Sequence, residues 1–151
     1  MKILVDADSC NKVPSIIKMG KEHQLEVHLF FDYTHNYEEQ EGVILHEVAQ
    51  GIDSADYSII TYCKKEDIVV TKDGGLAALV LAKGAYAVHT NGMEFDDSNI
   101  LSVLTSRHIN KRERMKGGKF FKTRTEKTPI RYNFKKTMTN IINRVLKKGD
   151  I

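Results

Sequence analysis

Two short apolar runs each lead into aspartate. Ile3-Leu4-Val5 is followed directly by Asp6, with Asp8 two residues on, and Ile68-Val69-Val70 runs through Thr71 and Lys72 to Asp73. Carboxylates gathered in one place repel one another, and they stay ionised only when a cation or hydrogen-bond donors offset that cost. Hard oxygen donors of this kind suit Mg²⁺ or Mn²⁺, and Mg²⁺ in particular takes one or two carboxylates directly and keeps several waters. A cation held in that way does phosphate chemistry: it activates a water and steadies the departing oxygen. Asp6 and Asp73 are the leading candidate ligands because each closes an apolar run. Asp56, in the first turn of an expected helix, would join them as a third ligand, kept ionised by the helix dipole. Asp8 either completes the acidic set or caps the helix that follows.

Each aspartate also has an ordinary structural use. Asp53 suits a helix N-cap better than a ligand and would at most support the site from behind, and Asp8 could simply turn the chain. Asp73, followed by Gly74-Gly75, could be a plain strand-to-helix turn. In the functional reading Thr71 would hydrogen-bond a phosphate. Gly74 and Gly75 would leave backbone N–H groups open at a helix start, a natural phosphate contact. That pair is too short for a phosphate-binding fingerprint, and no Gly-Lys-Ser/Thr sequence exists in the chain. The six histidines show no ligand spacing, and no serine or cysteine sits in a nucleophile motif. His35 and Asn36 could reach the acidic edge from a loop. Cys10 reads as a small buried residue whose thiol the neighbouring carboxylates would push up.

The elements that must position these residues follow from pattern. Strands are expected at 2–6, 26–31, 42–48, 67–71 and 86–89, the third being short enough to be a helix instead. Helices are expected at about 13–22, with Pro14 in the first turn, at 53–63, 75–83, 97–113 and 134–148. Residues 33–42 form a loop or short helix, and 116–133 a long loop. Apolar strands alternating with helices imply an α/β fold, a three-layer α/β/α sandwich around a mainly parallel sheet. In such sheets ligands bind where the carboxyl ends of the strands open into a crevice. The two aspartate-tipped strands point there.

At 151 residues and 41% hydrophobic content the chain is expected to fold as one domain, residues 1–151. No apolar stretch is long enough to span a membrane, and the two cysteines make neither a disulfide framework nor a zinc site. A cytoplasmic setting is expected. The net charge of +3 conceals a division: residues 1–106 hold 8 Lys and Arg against 17 Asp and Glu, residues 107–151 hold 15 against 3. A basic tail could draw a polyanion towards an acidic body, or could be a solvated helix and loop. Arg107, Lys116, Lys119, Lys122, Arg124, Lys127 and Arg131 interleave with Phe120, Phe121 and Tyr132, a mixture able to hold a nucleic-acid backbone and stack bases. Phe134 is expected instead to anchor the last helix.

The segments Val5-Asp6-Ala7-Asp8-Ser9-Cys10, Gly51-Ile52-Asp53-Ser54-Ala55-Asp56 and Asp67 to Asp73 with Leu76-Ala77 resemble the YaiI/YqxD family. Lys83-Gly84-Ala85, Asn91-Gly92, Arg107 and the region from Gly117-Gly118 to Phe134 continue the resemblance in order. It implies a PIN-like domain, a metal-dependent nuclease fold with acidic residues around a parallel sheet, and it implies Asp6, Asp8, Asp53, Asp56 and Asp73 as that cluster. Two positions depart from the family pattern: Asn11 stands where proline is usual after the cysteine, and Gly117-Gly118 where Gly-Pro is usual. The first bears on the turn that aims Asp8.

The leading expectation is therefore a Mg²⁺- or Mn²⁺-dependent nuclease or phosphodiesterase acting on nucleic acid, RNA first. A non-catalytic RNA-binding module is the rival of a different class. A phosphatase of the haloacid dehalogenase type ranks lower: Asp6-x-Asp8 fits its opening motif, but Asp96-Asp97 does not follow the apolar strand that chemistry needs.

Overall fold

The computed structural model describes residues 1–32, 34–49, 54–105 and 131–149. Five parallel strands and one antiparallel edge strand make a single sheet. They are β1 (Ile3–Asp6), β2 (Val27–Asp32), β3 (Val43–Val48), β4 (Ile68–Val70), β5 (Tyr86–Val88) and β6 (Glu94–Phe95), in the order β3-β2-β1-β4-β5-β6. The helices are α1 (Val13–His23), α2 (Ser54–Tyr62), α3 (Gly74–Ala82), α4, described over 100–105, and α5 (Phe134–Gly149).

Alternation along the buried strands assigns the layers. Ile3 and Val5, with Val27, Leu29, Ile68 and Val70, pack beneath Ile16 and Met19 of α1 and Met138, Ile141 and Ile142 of α5. Leu4, Phe30, Val69 and Ala87 face Ile59 of α2 and Cys63 just beyond it, Leu76 and Val80 of α3, and Val103 of α4. Strands buried on both faces need apolar residues at every position, which is why β1 and β4 read as unbroken runs. The fold class is the expected three-layer α/β/α.

Two features differ from the sequence expectation, and a third, the loop between β2 and β3, follows it. The two-residue β6 pairs antiparallel with β5 through Ala87 and Phe95, too short to leave a periodic signature. The helix expected from 97 begins at 100. The Asp96 carboxylate accepts from the N–H groups of Ser98 and Asn99 and turns the chain before it. The β2–β3 connection is parallel yet carries no helix in its described part, 34–42. There the Tyr37 ring packs edge-on against Phe31 with centroids 5.0 Å apart, and its hydroxyl donates to the Ala7 carbonyl at 3.4 Å. One aromatic residue thus covers the sheet where a crossover helix would usually lie.

From β1 the chain winds outward to β2 and β3, then crosses to the other side for β4 and β5. The direction of winding reverses between β1 and β4, so their carboxyl ends diverge into a crevice. Asp6 closes the first of these strands, and Thr71 to Asp73 follow the second.

Candidate functional site

Asp6 is half-buried at the end of β1 and shares the face of Leu4, towards α2 and α3. The Thr71 hydroxyl, wholly buried at the end of β4, donates to Asp6 Oδ2 at 3.2 Å and accepts from the Asp73 N–H at 3.0 Å. One hydroxyl therefore ties the two strand-end aspartates together across the crevice. Burial pushes the Asp6 carboxyl above its ordinary pKa; the hydroxyls of Ser9 and Thr71 oppose this, and the charges of Asp8 and Asp73 add to it. A carboxylate both desolvated and crowded by like charges is one that a cation would relieve.

Asp73 is the N-cap of α3: its Oδ1 accepts from Gly75 N at 2.7 Å and Leu76 N at 3.1 Å. This corrects two expectations. The helix-start N–H groups of Gly75 and Leu76 are occupied by Asp73 instead of standing open for phosphate, and the Thr71 hydroxyl is engaged with both aspartates. Gly74 serves packing, since a Cβ there would lie 2.7 Å from the Val103 side chain of α4. Asp56, in the first turn of α2, lines one cleft with Asp73. Asp53 lies outside the described residues.

Asp8 sits in the 3-10 turn Ala7–Ser9 that follows β1 and reaches the other way, towards β2. Its Oδ2 accepts from the Asp32 N–H at 2.9 Å, and its Oδ1 lies 2.8 Å from Nδ1 of His35. Asp32 in turn accepts from the N–H and hydroxyl of Thr34, which hold its carboxyl below the ordinary range. The orientation of Asp8 is thus set by contacts at the end of β2. Ligand atoms of Asp8, Asp32 and His35 lie within 4.8 Å of one another, the closest set of potential metal ligands among the described residues. Asp6, Asp56 and Asp73 are not drawn into so tight a set. A cation they shared would be bridged to them in part by its own waters.

Sequence reasoning weighed His35 but missed Asp32, which ends a strand as Asp6 does; the same rule applied to β2 would have found it. Lys72 was also missed. It is exposed between Thr71 and Asp73, and its charge is felt by Cys10 and His89. The Cys10 thiol is pushed up chiefly by burial, and the charge of Asp6 adds to this as expected.

Of the basic residues expected to meet nucleic acid, Arg107, Lys116, Lys119, Lys122 and Arg124 lie outside the described residues, and Arg131 is exposed just ahead of α5. Phe134 is buried in the core as expected. Lys12, the N-cap of α1, and Lys18 line a cleft of about 440 Å³ with Tyr132 and Lys135 at the start of α5; Glu22 closes its far end.

The family model described as "Uncharacterized BCR, YaiI/YqxD family" matches residues 4–144. The chain belongs to the YaiI/YqxD family. A UPF0178 protein of Natranaerobius thermophilus is 38% identical over 142 residues, covering 94% of this chain and 96% of that one. A UPF0178 protein of Clostridium tetani is 43% identical over 124 residues, 82% and 84% of the two chains. A third, from Clostridium novyi, is 35% identical over 99% of this chain and the whole of its own. No solved structure matches. The family match runs through both aspartate-tipped strands, so the crevice lies within the family's own extent. Among the described residues no helix is long and apolar enough to cross a membrane.

Proposed function

We propose that this YaiI/YqxD protein is a PIN-like, divalent-metal-dependent nuclease or phosphodiesterase acting on nucleic acid, with RNA the first substrate to test. The observation that carries the reading is the delivery of carboxylates from separate elements to the winding-reversal crevice, with Asp6 half-buried, short of charge compensation and linked through Thr71 to Asp73. Asp6 and Asp73 would hold a hydrated Mg²⁺ or Mn²⁺, with Asp56 opposite. When bound, the ion would polarise the phosphate and lower the pKa of a water. The chain's own part is positional. Thr71 fixes Asp6, the cap of α3 fixes Asp73, and Asp8 and His35, 2.8 Å apart, stand together at the neighbouring edge. The cleft lined by Lys12, Lys18 and Lys135 supports a polyanionic substrate, since it lies at the helix starts beside the same edge.

The test is cleavage of labelled single-stranded and structured RNA with Mn²⁺, Mg²⁺ or chelator. Cleavage is expected with metal only, and Asp6→Asn or Asp73→Asn should lower it by at least 100-fold, on the order of 3 kcal/mol of lost transition-state stabilisation. Asparagine caps helices about as well as aspartate, so Asp73→Asn removes charge while sparing α3. Failure of the metal-loaded wild type on every substrate would overturn the enzyme reading. One observation favours the non-catalytic rival: Asp73 and Asp8 both have structural partners. That rival requires RNA binding that needs no metal and survives both substitutions. The haloacid dehalogenase reading has no such support, because Asp96 caps a turn and the strand before it is two residues long.

A further inference from the structure

The cleft that Asp56 and Asp73 share continues away from the acids between α2 and α3. Its walls are Tyr57 and Ile60 on one side and Leu76 and Leu79 on the other, enclosing about 510 Å³. Tyr57 is 74% exposed and Leu79 55%, two large apolar side chains held in water on facing helices. Tyr62, one turn on from Tyr57 and also exposed, is accounted for by its packing against His46 and Phe30. Tyr57 has no aromatic neighbour of that kind among the described residues. The volume falls in the range of small-molecule sites, roughly 300–1,000 Å³.

We infer that this cleft is a nucleobase subsite, with Tyr57 as its stacking platform and Leu79 as the facing wall. The inference rests on the proposed nucleic-acid substrate and adds to it how a nucleotide would be seated. Charge and polarity order the cleft from end to end. The inner end carries the carboxylates of Asp56 and Asp73, which repel a bare phosphate and would hold one only through a cation. The outer end is apolar and flat-walled and offers a phosphate nothing. A nucleotide has the same order, with an anionic phosphate joined to a planar ring that stacks on aromatic faces. Tyrosine supplies such a face at low entropic cost, and stacking of this kind tolerates any base sequence.

A thermodynamic cycle tests this without requiring turnover. The probe is a short single-stranded RNA with cleavage-resistant linkages and one 2-aminopurine, and a matched probe lacks the base at that position; both are titrated into full-length protein with Mn²⁺. Wild type and Tyr57→Phe should quench the 2-aminopurine on binding. Tyr57→Ala should lose the quench and bind about tenfold more weakly, a typical stacking contribution. The abasic probe should bind wild type about tenfold more weakly, and Tyr57→Ala should weaken it little further. Leu79→Ala should give a smaller loss in the same direction. Equal quenching by wild type and Tyr57→Ala, or an equal Tyr57→Ala penalty on both probes, would overturn the subsite. So would a change in self-association on Tyr57→Ala, which would make the cleft an interface between copies, or no binding of either probe by wild type. Metal-dependent cleavage without quenching removes the subsite alone, and quenching without cleavage removes the catalytic reading alone.

Discussion

Asp6 concentrates the physical conflict of this molecule in one carboxyl group. Its folded-state pKa lies above the ordinary 3.8, so the folded protein binds that proton more tightly than the unfolded chain does. The stability Asp6 contributes is whole below 3.8 and is lost as pH rises through the raised value. At neutral pH the ionised side chain is therefore a burden in the metal-free protein. Asp6→Asn should raise the urea midpoint at pH 7, by on the order of 1 kcal/mol, the common scale of a single-site effect. If the proposed metal site is real, saturating Mn²⁺ should raise the wild-type melting temperature by binding the folded state, and Asp6→Asn should abolish most of that rise. A destabilised Asp6→Asn, or one still stabilised fully by Mn²⁺, would show that this carboxylate is compensated from within. That Asp6 and Asp73 follow neighbouring strands was legible in the sequence because apolar runs lead into them; that Asp32 gathers with Asp8 and His35 was not. Nor was it legible how each is occupied. Asp67 opens the same motif as Asp73, yet it lies at the opposite end of β4, where its buried carboxylate accepts from the N–H groups of Lys2 and Lys64 and pairs with the Lys2 ammonium.

At the scale of elements, the sheet was readable where strands are buried on both faces and obscure at its margins. β1 and β4 need apolar residues throughout, so their pattern is unambiguous. β3 lies at the edge, mixes half-buried and exposed positions, and could equally be read as a helix. What holds it is partly aromatic. The His46 ring stacks on Phe30 with centroids 4.4 Å apart, meets Tyr62 of α2 at 4.6 Å, and places Nε2 2.9 Å from Nδ1 of His28. Glu26 approaches the other nitrogen of His28 at 3.4 Å. Desolvation, and to a lesser degree electrostatic repulsion from His28, hold the His46 pKa below 6.5. Stability from this residue is thus whole above pH 6.5 and is lost as pH falls through the lowered folded value. The drop in urea midpoint from pH 7.5 to pH 5 should be smaller in His46→Gln than in wild type. An equal drop in both would assign the acid sensitivity to other groups.

At the scale of the whole molecule, the candidate acids and a set of lysines come together through the fold. Asp6, Asp56 and Asp73 lie towards α2 and α3 and Asp8 and Asp32 at the end of β2, while Lys12, Lys18 and Lys135 line the cleft between α1 and α5. The sequence showed this only as an acidic body and a basic tail. Lys12 and Lys18 belong to the acidic half of the chain, and only folding sets them beside the start of α5. A nucleic-acid strand crossing that edge would meet lysines on one face and a metal on the other. Each phosphate neutralised on a single strand contributes about −0.7 to the slope of log K against log salt concentration. Replacing Lys12, Lys18 and Lys135 together by alanine should therefore flatten the slope by up to about 2 and weaken binding similarly for every sequence. Asp6→Asn, titrated with chelator present so that no metal–phosphate contact enters, should leave the slope unchanged. Filter binding of a cleavage-resistant RNA from 50 to 300 mM salt measures both. An unchanged slope in the triple variant would mean that the strand bypasses the α1–α5 cleft, and the acidic crevice would then have to recruit its substrate by some other face.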